Sequence, residues 1–149
     1  DCLWGLLDGM NDRGLAVSLT FGGVPGTGEG FAIPLVVRYL LEVCDTVDEA
    51  CRVLDDLPVA ASYNLTVTDR SGEAVTVFVA PGRAPEYFDM PLATNHRGLV
   101  PDRPDLARRF RSVERQDVLR ALDREGRDAD AVGLRQHRLG AAAGSCERR

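Results

Sequence analysis

The chain has 149 residues, 44% of them hydrophobic and 28% charged, which is the size of one domain with enough apolar content for a core. Its apolar runs fall far short of the roughly 20 residues a bilayer span needs, which excludes a membrane-crossing helix. The net charge is −5 and all 18 cations are arginine, a balance that speaks against nucleic-acid binding.

Leu3 to Met10 reads as a strand, and Asn11-Asp12-Arg13-Gly14 supplies turn chemistry. The next run alternates: Leu15, Val17, Leu19 and Phe21 share one face, and Ala16, Ser18 and Thr20 the other. The hairpin so formed has one greasy face and one face of small side chains, open to close approach by another layer or a ligand. The glycine-rich stretch from Gly22 to Gly30 is a loop. It has no Gly-Lys-Ser/Thr ending and no G-x-G-x-x-G spacing, so it is not a phosphate cradle.

Two helices follow. Pro34 suits a first turn, and Val36, Val37, Leu40, Leu41 and Cys44 recur at helical spacing. Thr46-Val47-Asp48-Glu49 has the form of a capping box, with an apolar stripe of Val47, Ala50, Cys51 and Leu54 behind it. Cys44 and Cys51, seven apart, are expected on one helix face as small buried hydrophobes. With Cys2 and Cys146 they form no C-x-x-C pair and have no histidine at ligand spacing, so neither zinc nor a disulfide framework is expected.

A second hairpin pairs Tyr63–Asp69 with Glu73–Ala80 around Asp69-Arg70-Ser71-Gly72. Leu65 and Val67 point inward with Val75, Val77 and Val79, while Asn64, Thr66 and Thr68 share the other face. Tyr87-Phe88 and Leu92–His96 read as short strands, and Pro104 to Arg124 as one helix. Beyond Gly126 apolar periodicity disappears. The organisation expected is a core over 1–125 and a low-information tail, disordered or atypical, over 126–149, where His137 carries no argument.

Strand asparagine is unfavourable by propensity, so something must reward the Asn64 amide. It is either a satisfied structural residue or a donor aimed at a developing oxyanion. His96 is conceivable as a base but has no readable partner. Arg115 lies in an arginine-rich helix and by itself reads as part of a solvated charge run. Cys2, near the amino terminus, invites a nucleophile reading, although Asp1 precedes it. A start at Asp1 rather than Met is read as a processed product or fragment. No secretory signal is visible, so a cytoplasmic location is expected.

Together these pieces resemble one family. Asp8-Gly9-Met10-Asn11-Asp12-Arg13-Gly14-Leu15-Ala16 is similar to the D-G-x-N-x-x-G-L-A hairpin of the choloylglycine hydrolase and isopenicillin N acyltransferase group, the C45-type peptidases. The paired helices, Tyr63-Asn64-Leu65-Thr66-Val67-Thr68-Asp69, Thr94-Asn95-His96 and the Ser-x-x-Arg at Ser112 and Arg115 follow in the same order, so the resemblance spans about 3–120.

The resemblance implies an α+β amino-terminal-nucleophile (Ntn) hydrolase fold, an αββα sandwich of antiparallel sheets covered by helices, here in part. It implies cleavage of linear amide bonds, or acyl transfer, by an exposed amino-terminal cysteine whose α-amine (reference pKa about 7.7–8.0) is the base. Asn64 then matches the asparagine that stabilises the oxyanion, and Arg115 the arginine near the nucleophile. Because Cys2 immediately precedes the D-G-x-N hairpin, the nucleophile is expected upstream, with no nucleophile in this chain beyond Cys2 as a weak candidate. The chain alone is expected to be inactive, its partners being the missing amino-terminal segment and a small acyl or amide substrate. Exposed sheet edges favour self-association into homo-oligomers. No cofactor, metal, nucleic acid or membrane is expected. The competing reading is a non-catalytic α+β interaction module; a further one makes Cys2 terminal after loss of Asp1.

Overall fold

The computed structural model describes residues 4–126, so Cys2, Cys146, His137 and nearly all of the expected tail lie outside the described residues. The chain divides into two units, Asp1–Gln116 and Asp117–Arg149. In the second, residues 117–126 are helical.

The first unit is α+β. Strands β1 (Asp8–Met10), β2 (Ala16–Phe21), β3 (Tyr63–Thr68), β4 (Ala74–Val79) and β5 (Glu86–Phe88) form one antiparallel sheet in the order β1-β2-β3-β4-β5. Short turns put β1 beside β2 and β3 beside β4, whereas β2 and β3 pair across the long segment that separates them in the chain. Between β2 and β3 the chain leaves the sheet for helices α1 (Ile33–Val43) and α2 (Val47–Asp56), and α3 (Pro104–Phe110) comes last.

Alternation decides the layers. Leu15, Val17, Leu65, Val67, Val77 and Val79 are buried against Val36, Val37, Leu40, Ala50 and Leu54 of the two helices. Each such side chain contributes about 1.5–3 kcal/mol when fully removed from water, so this face fixes the register. One sheet with one helical pair on one face is half of the layered sandwich expected. The other face carries the polar residues of β2, β3 and β4.

Two side chains fasten the helices to the hairpin turns. Asn11 Oδ1 accepts from the backbone N–H groups of Arg13 (3.1 Å) and Leu15 (2.9 Å), which shapes the first turn. Its Nδ2 donates to the carbonyls of Leu41 (3.1 Å) and Cys44 (2.8 Å), at the open end of α1. Asn11, prominent in the hairpin motif, is thus fully spent on structure. At the second turn Asp69 Oδ2 accepts from Val47 N at 2.9 Å, capping α2 from another element. The Thr46 hydroxyl accepts from Glu49 N as its sequence pattern predicts, but Glu49 reaches back to Asp45 N rather than to Thr46.

Several sequence expectations are corrected here. The first strand is confined to Asp8–Met10, because Leu6 N instead bonds the carbonyl of Pro34 and carries the chain onto α1. Residues 92–96 form no strand, only a bridge between Thr94 and His96. The helix expected from Pro104 to Arg124 is interrupted at Arg111, which adopts the left-handed conformation (φ 50°) and ends α3; helical residues resume at 112. Cys44 is the C-cap of α1 while Cys51 lies within α2, so they do not share a helix face.

Candidate active site

Strand alternation that sends Leu65 and Val67 into the core sends Asn64 to the opposite face. There it lies across from Thr20 on β2 and Phe78 on β4, and is only 1% exposed. What buries it is a strap of non-regular chain, residues 94–98, laid over the sheet.

The strap is held from below by side chains of the sheet. Asn64 Nδ2 donates to the carbonyls of Thr94 (2.9 Å) and His96 (3.0 Å), and the Thr20 hydroxyl also donates to Thr94 O (3.1 Å). Gly23 makes the close approach possible: its φ is +81°, and a Cβ there would stand 2.9 Å from His96 Cα.

From above, the helical run starting at 112 holds the strap. Thr94 Oγ1 donates to the carbonyl of Ser112 at 2.9 Å. His96 Nδ1 lies 2.9 Å from Ser112 Oγ, and Nε2 lies 3.0 Å from Gln116 Oε1. Gln116 Nε2 donates to Gly98 O at 3.0 Å. His96, Ser112 and Gln116 are all buried. His96 therefore has the partners that its sequence neighbourhood did not reveal. Ser112 and Gln116 are four apart, which puts both on one helix face; that spacing was the readable signal.

The expected site residues meet at this strap from opposite sides. Arg115 is exposed and donates from Nη2 to Asn95 Oδ1 at 2.8 Å and from Nη1 to Phe110 O at 3.3 Å. Asn95 is the residue between the two whose carbonyls receive Asn64. Both hydrogens of Asn64 Nδ2 are engaged in this form, and what the carboxamide leaves open is its carbonyl: Oδ1 is buried without a hydrogen-bond partner among the described residues. A net gain of about 0.5–1.5 kcal/mol per neutral bond is matched by a cost of about 1–3 kcal/mol for a buried unpaired acceptor. Stability alone is a weak reward for an asparagine there.

A further concavity lies elsewhere. A groove of about 880 Å³ on the helical layer is lined by Trp4, Phe31, Leu35, Tyr39 and their neighbours. Its wall is mostly apolar, with Arg38, Glu42 and Asp56 as its charged members, and it includes none of Asn64, His96 and Arg115. Burial, and next the carboxylates around them, raise the Cys44 and Cys51 thiols above the ordinary range, so neither is an activated nucleophile. Among the described residues no cluster of three or more His, Cys, Asp or Glu can hold a metal ion, and no helix is long and apolar enough to cross a membrane.

Residues 1–125 match the family model of acyl-coenzyme A:6-aminopenicillanic acid acyl-transferase. The chain belongs to this acyltransferase family. The family span takes in both hairpins, α1, α2, the strap and Arg115. An α+β unit with one antiparallel sheet agrees with a partial fold of the Ntn-hydrolase type to which this acyltransferase family is related. A search of curated proteins finds no match to the chain.

Proposed function

We propose that this chain is part of a cysteine-dependent Ntn hydrolase or acyltransferase acting on linear amide bonds, with the attacking sulfur on a segment that precedes it. The thiolate adds to the amide carbonyl, forming a C–S bond and a tetrahedral oxyanion. Collapse breaks the C–N bond, the amine leaves with the proton taken from the thiol, and a thioester remains. Water then yields the acid, or a second amine takes the acyl group. The family's name carries an acyl-coenzyme A donor and a 6-aminopenicillanic acid acceptor; for this chain the reading extends to an acyl group and an amine.

One observation carries it: a strand asparagine fully buried with a carboxamide oxygen unpaired among the described residues, an arrangement that stability rewards only weakly. In the proposal Asn64 Nδ2 exchanges one strap carbonyl for the oxyanion, where such a donor supplies about 10²–10³ in rate. Arg115, beside the strap, supports the thiolate with its guanidinium. With the preceding segment joined to the chain, Asn64→Ala is expected to lower kcat about 10²–10³-fold while the far-ultraviolet circular dichroism is unchanged. Undiminished turnover removes Asn64 from the mechanism.

A non-catalytic interaction module is the second reading, and the engagement of both Nδ2 hydrogens favours it. It requires that the joined protein neither release an amine from acyl amides nor form a thioester detectable by intact mass.

A further inference from the structure

His96 lies between the helical residues that grip it and the asparagine that its backbone receives, and the hydrogen bonds around it assign its proton. Gln116 Nε2 donates to Gly98 O, which leaves Oε1 to face the imidazole. Gln116 Oε1, an acceptor 3.0 Å from His96 Nε2, calls for a hydrogen on Nε2, which leaves Nδ1 as the acceptor. Ser112 Oγ, 2.9 Å away, donates to it. Both ring nitrogens of a neutral imidazole are thereby satisfied.

The same residue's carbonyl, with that of Thr94, takes the two hydrogens of Asn64 Nδ2. Thr94 is gripped from the same helical run through its hydroxyl to Ser112 O. The carboxamide is therefore oriented by two main-chain acceptors: that of His96 is held by Ser112 and Gln116 through the imidazole, and that of Thr94 by its own hydroxyl on Ser112 O. Buried groups of this kind hold a functional side chain to the narrow angular range its chemistry needs.

We propose that His96 is a positioning residue of Asn64: its imidazole, locked as the Nε2–H form between Ser112 and Gln116, fixes one of the two strap carbonyls that orient the Asn64 carboxamide. The proposal rests on the reading of Asn64 as the carboxamide at the reacting centre. It assigns His96 neither the role of a base nor contact with substrate. His96→Gln keeps a donor at the reach of Nε2 and is the conservative variant, whereas His96→Ala removes the lock.

The test is hydrogen exchange of the Asn64 side-chain amide, read by nitrogen-resolved NMR in the full 149-residue chain. In His96→Ala both Asn64 carboxamide hydrogens are expected to exchange at least about tenfold faster, while the backbone amides of β3 keep their protection. His96→Gln is expected to restore most of it. Unchanged Asn64 exchange, or acceleration shared equally by β3, overturns the proposal; if His96→Ala does not fold, Ser112→Ala decides by the same comparison. With the preceding segment joined and an acyl p-nitroanilide as probe, His96→Ala is expected to lower kcat about tenfold with KM nearly unchanged. An unchanged kcat there overturns the proposal. Full turnover in Asn64→Ala would instead sink the proposed function and leave the exchange result standing.

Discussion

Asn64 Nδ2 and the carbonyl oxygen of His96 stand 3.0 Å apart, joining the centre of the sheet to a strap thirty-two residues later in the chain. The contact predicts an asymmetry between two substitutions. Asn64→Ala removes two bonds and the orphan oxygen together, so the loss is limited to about 1–3 kcal/mol. Asn64→Asp, nearly the same shape, sets a carboxylate against the carbonyls of Thr94 and His96 with no hydrogen to offer. Burial and those oxygens raise its folded-state pKa above the unfolded value of about 3.9. The protonated form keeps a donor, so stability is retained below that unfolded value and lost as pH rises through the folded one. Urea denaturation from pH 3 to 7 should show Asn64→Asp falling below Asn64→Ala as pH rises; parallel curves would mean the carboxamide does not face those carbonyls.

Much of this architecture is legible in the residues themselves. Period-two alternation in Leu15–Phe21, Tyr63–Thr68 and Ala74–Val79 specifies both hairpins and their buried face, and Thr46 and Glu49 mark the start of α2. The strap is not legible. Residues 94–98 have no period of their own, and their hydrogen bonds go to residues 18 and 20 positions onward, a separation that local pattern does not encode. The break at Arg111 is invisible for another reason: left-handed turns are announced by glycine or asparagine, and this one is filled by arginine. The polar sheet face was readable as a surface awaiting a second layer, but not which residues would cover Asn64.

Asp69 shows how a turn stabilises a helix remote in sequence. Its carboxylate accepts from Ser71 Oγ (2.6 Å), Ser71 N (2.8 Å) and Val47 N (2.9 Å). These bonds, that to the Ser71 hydroxyl first, hold its pKa below the ordinary 3.8. A depressed folded-state pKa contributes stability that is present above the unfolded value and lost as pH falls through the folded one. Asp69→Ala should cost about 1 kcal/mol at neutral pH, the usual worth of a helix cap. The difference from the parent should shrink in acid, as seen by chemical denaturation below pH 4. A constant difference would assign the loss to turn geometry rather than to the carboxylate.

Arg111 supplies a stabilising prediction. Its left-handed backbone (φ 50°, ψ 40°) ends α3, with its N–H bonded to the carbonyls of Ala107 and Arg108. An L-residue with a Cβ pays about 1–2 kcal/mol for that conformation, and glycine does not. The greater chain entropy of glycine when unfolded offsets part of the gain. Arg111→Gly should therefore raise stability by about 0.5–1 kcal/mol, which is read as a higher urea midpoint at unchanged slope. A lower midpoint would reveal a contribution of the guanidinium greater than the relief of the backbone.

The thiols test whether any described cysteine competes for the nucleophile's role. Cys44 is fully buried at the end of α1, and desolvation, followed by Glu49 and Asp45, raises its pKa above 9.0. Little thiolate exists at neutral pH, and what exists is shielded. A raised folded-state pKa means that stability is intact below the unfolded value of about 8.5 and declines as pH rises beyond it, because the unfolded chain ionises first. Labelling with a disulfide reagent, mapped by peptide mass, should modify Cys51 slowly at pH 7 and Cys44 only at the rate at which the chain opens. Addition of urea below the unfolding midpoint should accelerate Cys44 labelling in proportion to the open population. Rapid native-state labelling of Cys44, insensitive to urea, would show an accessible ionised thiol at the α1 terminus and make this cysteine a candidate nucleophile.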